Sequence, residues 1–227
     1  MTPLKKLCFL LIIVIALFAF LLFKEFRKTL GITTTPLTQP LIDQNATAIP
    51  VDATDPIYGN PGAAITLVEF VDLGCAKCQK LHFLLTKLVD QNPTTARLVW
   101  KDAPNYGGLI SKSTYDAHVA GACAFKLGKN KKFWDFARLA MQDKANLRPE
   151  GLNKIADGLK INSDQWANCL SSPEIKQKLE QTTALGEQIG LTETPVLFVD
   201  NQKVNLDTDI NLEDLLTKIL KNDYAAK

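Results

Sequence analysis

The sequence predicts an α/β sheet interrupted by a helical insertion and preceded by an N-terminal transmembrane helix. Three observations carry this. Short β-rich runs stand at 65–71, 97–101 and 196–199, while the stretch from about 111 to 190 shows helical periodicity. Leu7 to Phe23 is seventeen residues without a charge, at the short end of what crosses a bilayer as a helix. A composition of 46% apolar and 22% charged residues over 227 positions belongs to a folded chain, neither disordered nor fibrous.

The apolar core ends in Leu21-Leu22-Phe23-Lys24-Glu25-Phe26. That offers no small-x-small cleavage site, so 1–28 is expected to stay as a signal anchor. A single anchor ahead of a large domain puts the amino terminus inside and the domain outside the membrane, in the periplasm or on the outer surface. Cys8 is then a membrane-buried thiol. Five of the 26 Lys and Arg residues, with Glu25, fall in 1–28. The remainder holds 21 basic and 23 acidic residues and no basic cluster, which excludes a nucleic-acid partner. Residues 29–62 carry Thr33 to Thr35 and Pro36, Pro40, Pro50, Pro56 and Pro61 without a sustained apolar period. They read as an extended, solvated linker.

The folded domain is expected over 63–224. Ile65 to Val71 is a short β-rich run between Gly62 and Gly74, the pattern of a buried strand. Leu81, Leu84, Leu85 and Leu88 recur at helical spacing, which predicts an amphipathic helix over 76–90. A second strand follows at Arg97–Lys101, then the helical insertion at about 105–190, in which Ser172-Pro173-Glu174 marks a helix start. Val196–Val199, a short strand at Val204 and an apolar-faced helix over 211–222 close the chain.

Cys75 and Cys78 stand at the turn from strand to helix. A structural zinc site needs four ligands. With five cysteines, no second close pair, and His82 and His118 far apart, zinc is poorly supported and no metal is expected. Redox chemistry suits the position. Cys75 falls at the first helical turn, where free N–H groups and the positive dipole end stabilise a thiolate, and Lys77 adds a nearby cation. Cys78 lies one turn in, on the face of Leu81 and Leu85, and should be more buried. Cys75 is therefore the nucleophile that forms a mixed disulfide and Cys78 the residue that resolves it.

Three ordered landmarks give a resemblance. Gly59-Asn60-Pro61-Gly62-Ala63-Ala64, running on to Asp72-Leu73-Gly74-Cys75-Ala76-Lys77-Cys78, resembles the opening of the DsbA-like branch of the thioredoxin superfamily. Phe133-Trp134-Asp135-Phe136 is similar to that branch's helical domain, and Gly190 to Val199 resembles its Thr–cis-Pro strand. The resemblance spans about 57–222. It implies a thioredoxin fold with an inserted helical domain, acting on cysteines of exported polypeptides and recycled by a redox partner in the inner or cytoplasmic membrane. It further implies that Pro195 is cis and faces Cys75, that Thr194 and Pro195 bind substrate backbone, and that Glu69 is the family's buried carboxylate beneath the disulfide. Such a carboxyl is placed to relay the proton of Cys78. Phe133 and Trp134 read as helix-packing residues.

The chain departs from that pattern. Gly74 stands where an aromatic residue is common, and the middle dipeptide is Ala76-Lys77, so the direction of electron flow stays open. Oxidation is the favoured reading. A reductase or isomerase, or a protein delivering Cu(I) through Cys75 and Cys78, is the alternative. Cys123 and Cys169 both lie in the insertion. An exported compartment permits a structural bridge between them, against the alternative of two buried thiols. His82, four residues after Cys78, reads as a packed or solvated helix residue that could tune the pair, and His118 as structural. No motif for flavin, nucleotide or metal appears, so no cofactor beyond the disulfide itself is expected.

Overall fold

The computed structural model describes residues 42–43, 48–104, 112–206 and 211–221. Its centre is a six-stranded sheet in the order β1-β6-β5-β3-β4-β2. The strands are β1 (Ile42–Asp43), β2 (Ile57–Gly59), β3 (Ile65–Val71), β4 (Ala96–Asp102), β5 (Val196–Val199) and β6 (Gln202–Val204). β3 and β4 run parallel, joined through helix α1 (Ala76–Gln91), and the other pairings are antiparallel. Between β4 and β5 lie α2 (Lys112–Gln142), a 3-10 turn (Lys144–Leu147), α3 (Pro149–Gly158), α4 (Ser163–Leu170) and α5 (Pro173–Gln188). Helix α6 (Leu212–Leu220) follows β6. This is a thioredoxin-like α/β fold with a helical insertion.

Alternation of side chains along the strands makes two cores. Ile65, Leu67 and Val71 of β3 pack with Leu81, Leu85 and Leu88 of α1 and with the insertion helices. Val68 and Phe70 face the other side, where they meet Val99, Phe198 and Ile49, with Leu185 and Ile189 from the end of α5 packed against them. Leu81, Leu85 and Leu88 are 5% exposed or less, and each such burial stabilises by roughly 1.5–3 kcal/mol. Glu69 lies in β3 between Leu67 and Val71, in register with Trp100 on one side and Leu197 on the other. Alternation therefore turns it to the α1 face.

The stretch 29–62, expected as a solvated linker, supplies two strands. β2 pairs with β4 from Ile57↔Val99 to Gly59↔Arg97, and β1 pairs with β6. Ile49 is buried, and Asp55 makes a buried ion pair with Lys101 at 2.7 Å. Both strands are two or three residues long and add to open sheet edges, so tertiary pairing rather than an apolar period creates them. Residues 105–111, the start of the expected insertion, lie outside the described residues, as does the expected anchor 1–28. Among the described residues no helix is long and apolar enough to cross a membrane.

Helix α2 is broken at Lys129, whose φ of 55° and ψ of −159° are not helical. The helix start at Pro173 is where the sequence places it, but the Ser172 side chain makes no capping hydrogen bond.

Candidate active site

The site begins with a turn. After β3, the Asp72 carbonyl accepts the Cys75 N–H at 3.0 Å, and the Asp72 carboxylate oxygen Oδ1 accepts the Gly74 N–H at 2.8 Å. This Asx-type turn delivers Cys75 to the N-cap of α1. A helix N-cap usually offers an oxygen to the free N–H groups of the first turn. Here a sulfur does so: Cys75 Sγ accepts the Cys78 N–H at 3.3 Å. The glycine before it has a steric reason. A Cβ at Gly74 would stand 2.4 Å from Thr114 Cγ2 of the insertion, so the aromatic residue common at this position has no room.

Cys75 and Cys78 are free thiols, the first half-buried and the second fully buried. The Cys75 thiol donates to the Thr194 carbonyl at 3.5 Å. Hydrogen bonding from the Cys78 side chain lowers the Cys75 pKa from 9.0 to about 6, against burial, with further help from the Cys78 N–H, the Thr194 side chain and the Lys77 N–H. The same sulfur–sulfur hydrogen bond, together with burial, pushes Cys78 far up. One thiol of the pair is thus poised as a thiolate and the other keeps its proton. Lys77 serves through its main-chain N–H, and its side chain is exposed.

The Thr194–Pro195 peptide bond is cis. It precedes β5, and the Thr194 carbonyl faces Cys75, so Thr194, Pro195 and the cysteine pair meet at one end of the sheet.

In β3, Glu69 is fully buried, and its Oε1 lies 2.7 Å from His82 Nδ1. His82 stacks on Trp134 with ring centroids 5.7 Å apart and an 8° interplanar angle, and meets Trp100 edge-on at 5.4 Å. Glu69 Oε2 and Trp134 Nε1 are buried without a hydrogen-bond partner. Such an orphaned atom costs about 1–3 kcal/mol. His82 lies one helical turn beyond Cys78, and that i+4 spacing was the available signal for its role. Phe133 and Trp134 are buried and clustered on Trp100, as helix-packing residues should be.

His118 is also fully buried at this site. Its Nε2 accepts the Leu73 N–H at 3.1 Å, and its Nδ1 lies 2.6 Å from Asp102 Oδ1. No sequence pattern joins position 118 to position 73, because the contact exists only once the insertion folds over the turn. In the insertion, Cys123 of α2 and Cys169 of α4 form a disulfide. Among the described residues, no three His, Cys, Asp or Glu side chains converge to hold a metal ion.

The thioredoxin family model matches residues 52–221. The chain belongs to the thioredoxin family. Among solved structures, this thioredoxin-family chain resembles the thiol-disulfide exchange protein α-DsbA2 from Wolbachia pipientis, with a TM-score of 0.64 at 23% identity, over 76% of this chain and 89% of that one. It also resembles a thioredoxin-like oxidoreductase from Silicibacter pomeroyi, with a TM-score of 0.63 at 25% identity, over 77% and 95%. A Rickettsia typhi relative named for protein-disulfide oxidoreductase activity is 25% identical over 211 residues, 86% of this chain and 75% of that protein. The first curated relatives it matches are Na(+)/H(+) antiporters NhaA of Salinispora, at 25–26% identity, and the chain spans 23% of their length.

Proposed function

We propose that this chain is a thiol–disulfide oxidoreductase that oxidises cysteine pairs in exported polypeptides. The observation that carries the reading is the split between its two thiols: Cys75 is lowered to about 6 while Cys78 is raised. In the oxidised enzyme a substrate thiolate attacks Cys75 Sγ, the Cys75–Cys78 bond breaks, and Cys78 leaves and takes a proton. A second substrate thiolate then attacks the substrate sulfur of the mixed disulfide and expels Cys75 as a thiolate. Two substrate thiols become one disulfide, and the enzyme's disulfide becomes two thiols. The second step is fast because a low-pKa thiol is a good leaving group. In this reading the buried Glu69–His82 pair, with His82 one helical turn beyond Cys78, holds the proton that Cys78 gains or loses, and Thr194 and Pro195 bind the substrate's extended backbone. The relatives named for disulfide oxidoreductase or exchange activity support the same chemistry.

The setting is part of the proposal. The charge-free run Leu7–Phe23 supports a single membrane anchor with the domain outside, where clients form disulfides and a membrane redox partner reoxidises the pair. The reaction needs no cofactor beyond the cysteines. The deciding experiment incubates the oxidised chain with a reduced peptide holding two cysteines. Stoichiometric peptide disulfide is expected from the wild type and none from Cys75→Ser. Full exchange by Cys75→Ser would remove the mechanism.

A further inference from the structure

We propose that His118 is a positioning residue for the active-site turn, tying the helical insertion to the loop that presents Cys75, so that the state of its ring sets the reactivity of Cys75. The proposal rests on the oxidoreductase reading for its purpose but on separate geometry for its content. Leu73 and Gly74 are the two residues before the nucleophile, and each is held by one acceptor. Gly74 N–H goes to Asp72 Oδ1, within the turn, and Leu73 N–H goes to His118 Nε2, forty-five positions away in α2. The Leu73 bond is buried, so losing its acceptor leaves an unsatisfied N–H next to the site. On its other side the ring is anchored by Asp102 Oδ1, which also accepts the Trp100 Nε1–H at 2.7 Å and so belongs to the rigid end of β4. The result is a brace from sheet through imidazole to turn. Thr114, one helical turn earlier in α2, closes on Gly74 from the same element.

The brace has two protonation states. An Nε2 that accepts the Leu73 N–H has a free lone pair, so the ring in this arrangement is neutral, with its proton at Nδ1 facing Asp102. The charged groups facing the ring among the described residues are Asp102 from β4 and Asp72 from the turn, whose Oδ1 lies 3.9 Å from Nε2. Burial opposes a second proton, but the two carboxylates favour it and hold the imidazole above its ordinary value. A protonated ring gives up Leu73 and turns to Asp72, the residue that also shapes the turn. Proton uptake at His118 is thereby coupled to the geometry that presents Cys75 as the N-cap of α1.

The test is the pH–rate profile for alkylation of Cys75 by iodoacetamide in the reduced full-length chain, followed at that residue by mass spectrometry. His118→Phe keeps bulk but removes both the acceptor for Leu73 and the proton that turns to Asp72; a thiol pKa raised by about one unit from about 6 should slow alkylation about tenfold at pH 5 and about twofold at pH 7. His118→Gln restores an acceptor for Leu73 and a donor for Asp102, and should react within about twofold of the wild type on the alkaline side. It cannot titrate. The wild type should therefore show a second step above that of Cys75 itself, and His118→Gln should lack it. A His118→Phe protein with wild-type kinetics overturns the proposal, and so does a shared single-step profile for wild type and His118→Gln. The second comparison decides the matter where His118→Phe does not fold. Alkylation uses no client peptide, so a chain that failed to oxidise peptides would sink the oxidoreductase reading and leave this result standing.

Discussion

At the scale of single residues the proposed chemistry follows from one placement: Cys75, the proposed nucleophile, is the helix N-cap. Its sulfur collects the donors that a helix start leaves unpaired, while Cys78, one turn in, is buried and keeps its proton. The consequence is a pH dependence with a definite sign. Because the folded thiol is depressed from 9.0 to about 6, the thiolate persists at neutral pH and is lost as pH falls through about 6. The reduced form correspondingly gains stability from this group as pH rises across that window, fully above the unfolded value. Alkylation of Cys75 should be half-maximal near pH 6, apart from the smaller step assigned to His118. A main step near 9 would mean that the helix start does not stabilise the sulfur. The placement of Cys75 at the helix start and the burial of Cys78 were readable because spacing alone puts them on a strand-to-helix turn. The parts played by Lys77 and His118 were not. A lysine's charge is visible in sequence and its N–H direction is not, and the partner of His118 lies across the fold.

At the scale of elements, the insertion is part of the site. Thr114 of α2 packs against the position of Gly74 so closely that any side chain there must displace it. Gly74→Ala should therefore destabilise by about 1–3 kcal/mol, the usual cost of overpacking. Adding Thr114→Ser, which deletes Cγ2 and keeps the hydroxyl, should recover most of the loss. Urea unfolding of the single and double variants measures both, and equal stabilities for Gly74→Ala and wild type would contradict the contact. Elements with long apolar patterns were legible: β3, α1, β5 and α6 lie where their periodicity places them. β1 and β2 were not, since Pro50, Pro56 and Pro61 and the lack of a period describe a linker equally well. They form because β4 and β6 present edges to pair. The break at Lys129 precedes Phe133 and Trp134, which pack on Trp100 of β4.

At the scale of the molecule, the sheet supplies Glu69 and the Thr194–Pro195 bond, α1 supplies the thiols and His82, and the insertion supplies Trp134 and the His118 brace. The Cys123–Cys169 disulfide, joining α2 to α4 across 46 positions, stiffens the element that carries this brace, and a bridge of that kind contributes about 2–4 kcal/mol. The paired landmarks in the sequence foretold the thioredoxin fold and its insertion, but not how the insertion grips the active-site turn. In the proposed direction of transfer the Cys75 thiolate stabilises the reduced pair, so the protein gives its disulfide away. The reduction potential of Cys75–Cys78, equilibrated in glutathione buffers and read by site-resolved alkylation, tests it most directly. A thiol near 6 lies between about 3.5 for DsbA and about 7 for thioredoxin. The predicted potential accordingly falls between about −120 mV and about −270 mV. A value at or below about −270 mV, or a pair that does not exchange with glutathione at all, would contradict it.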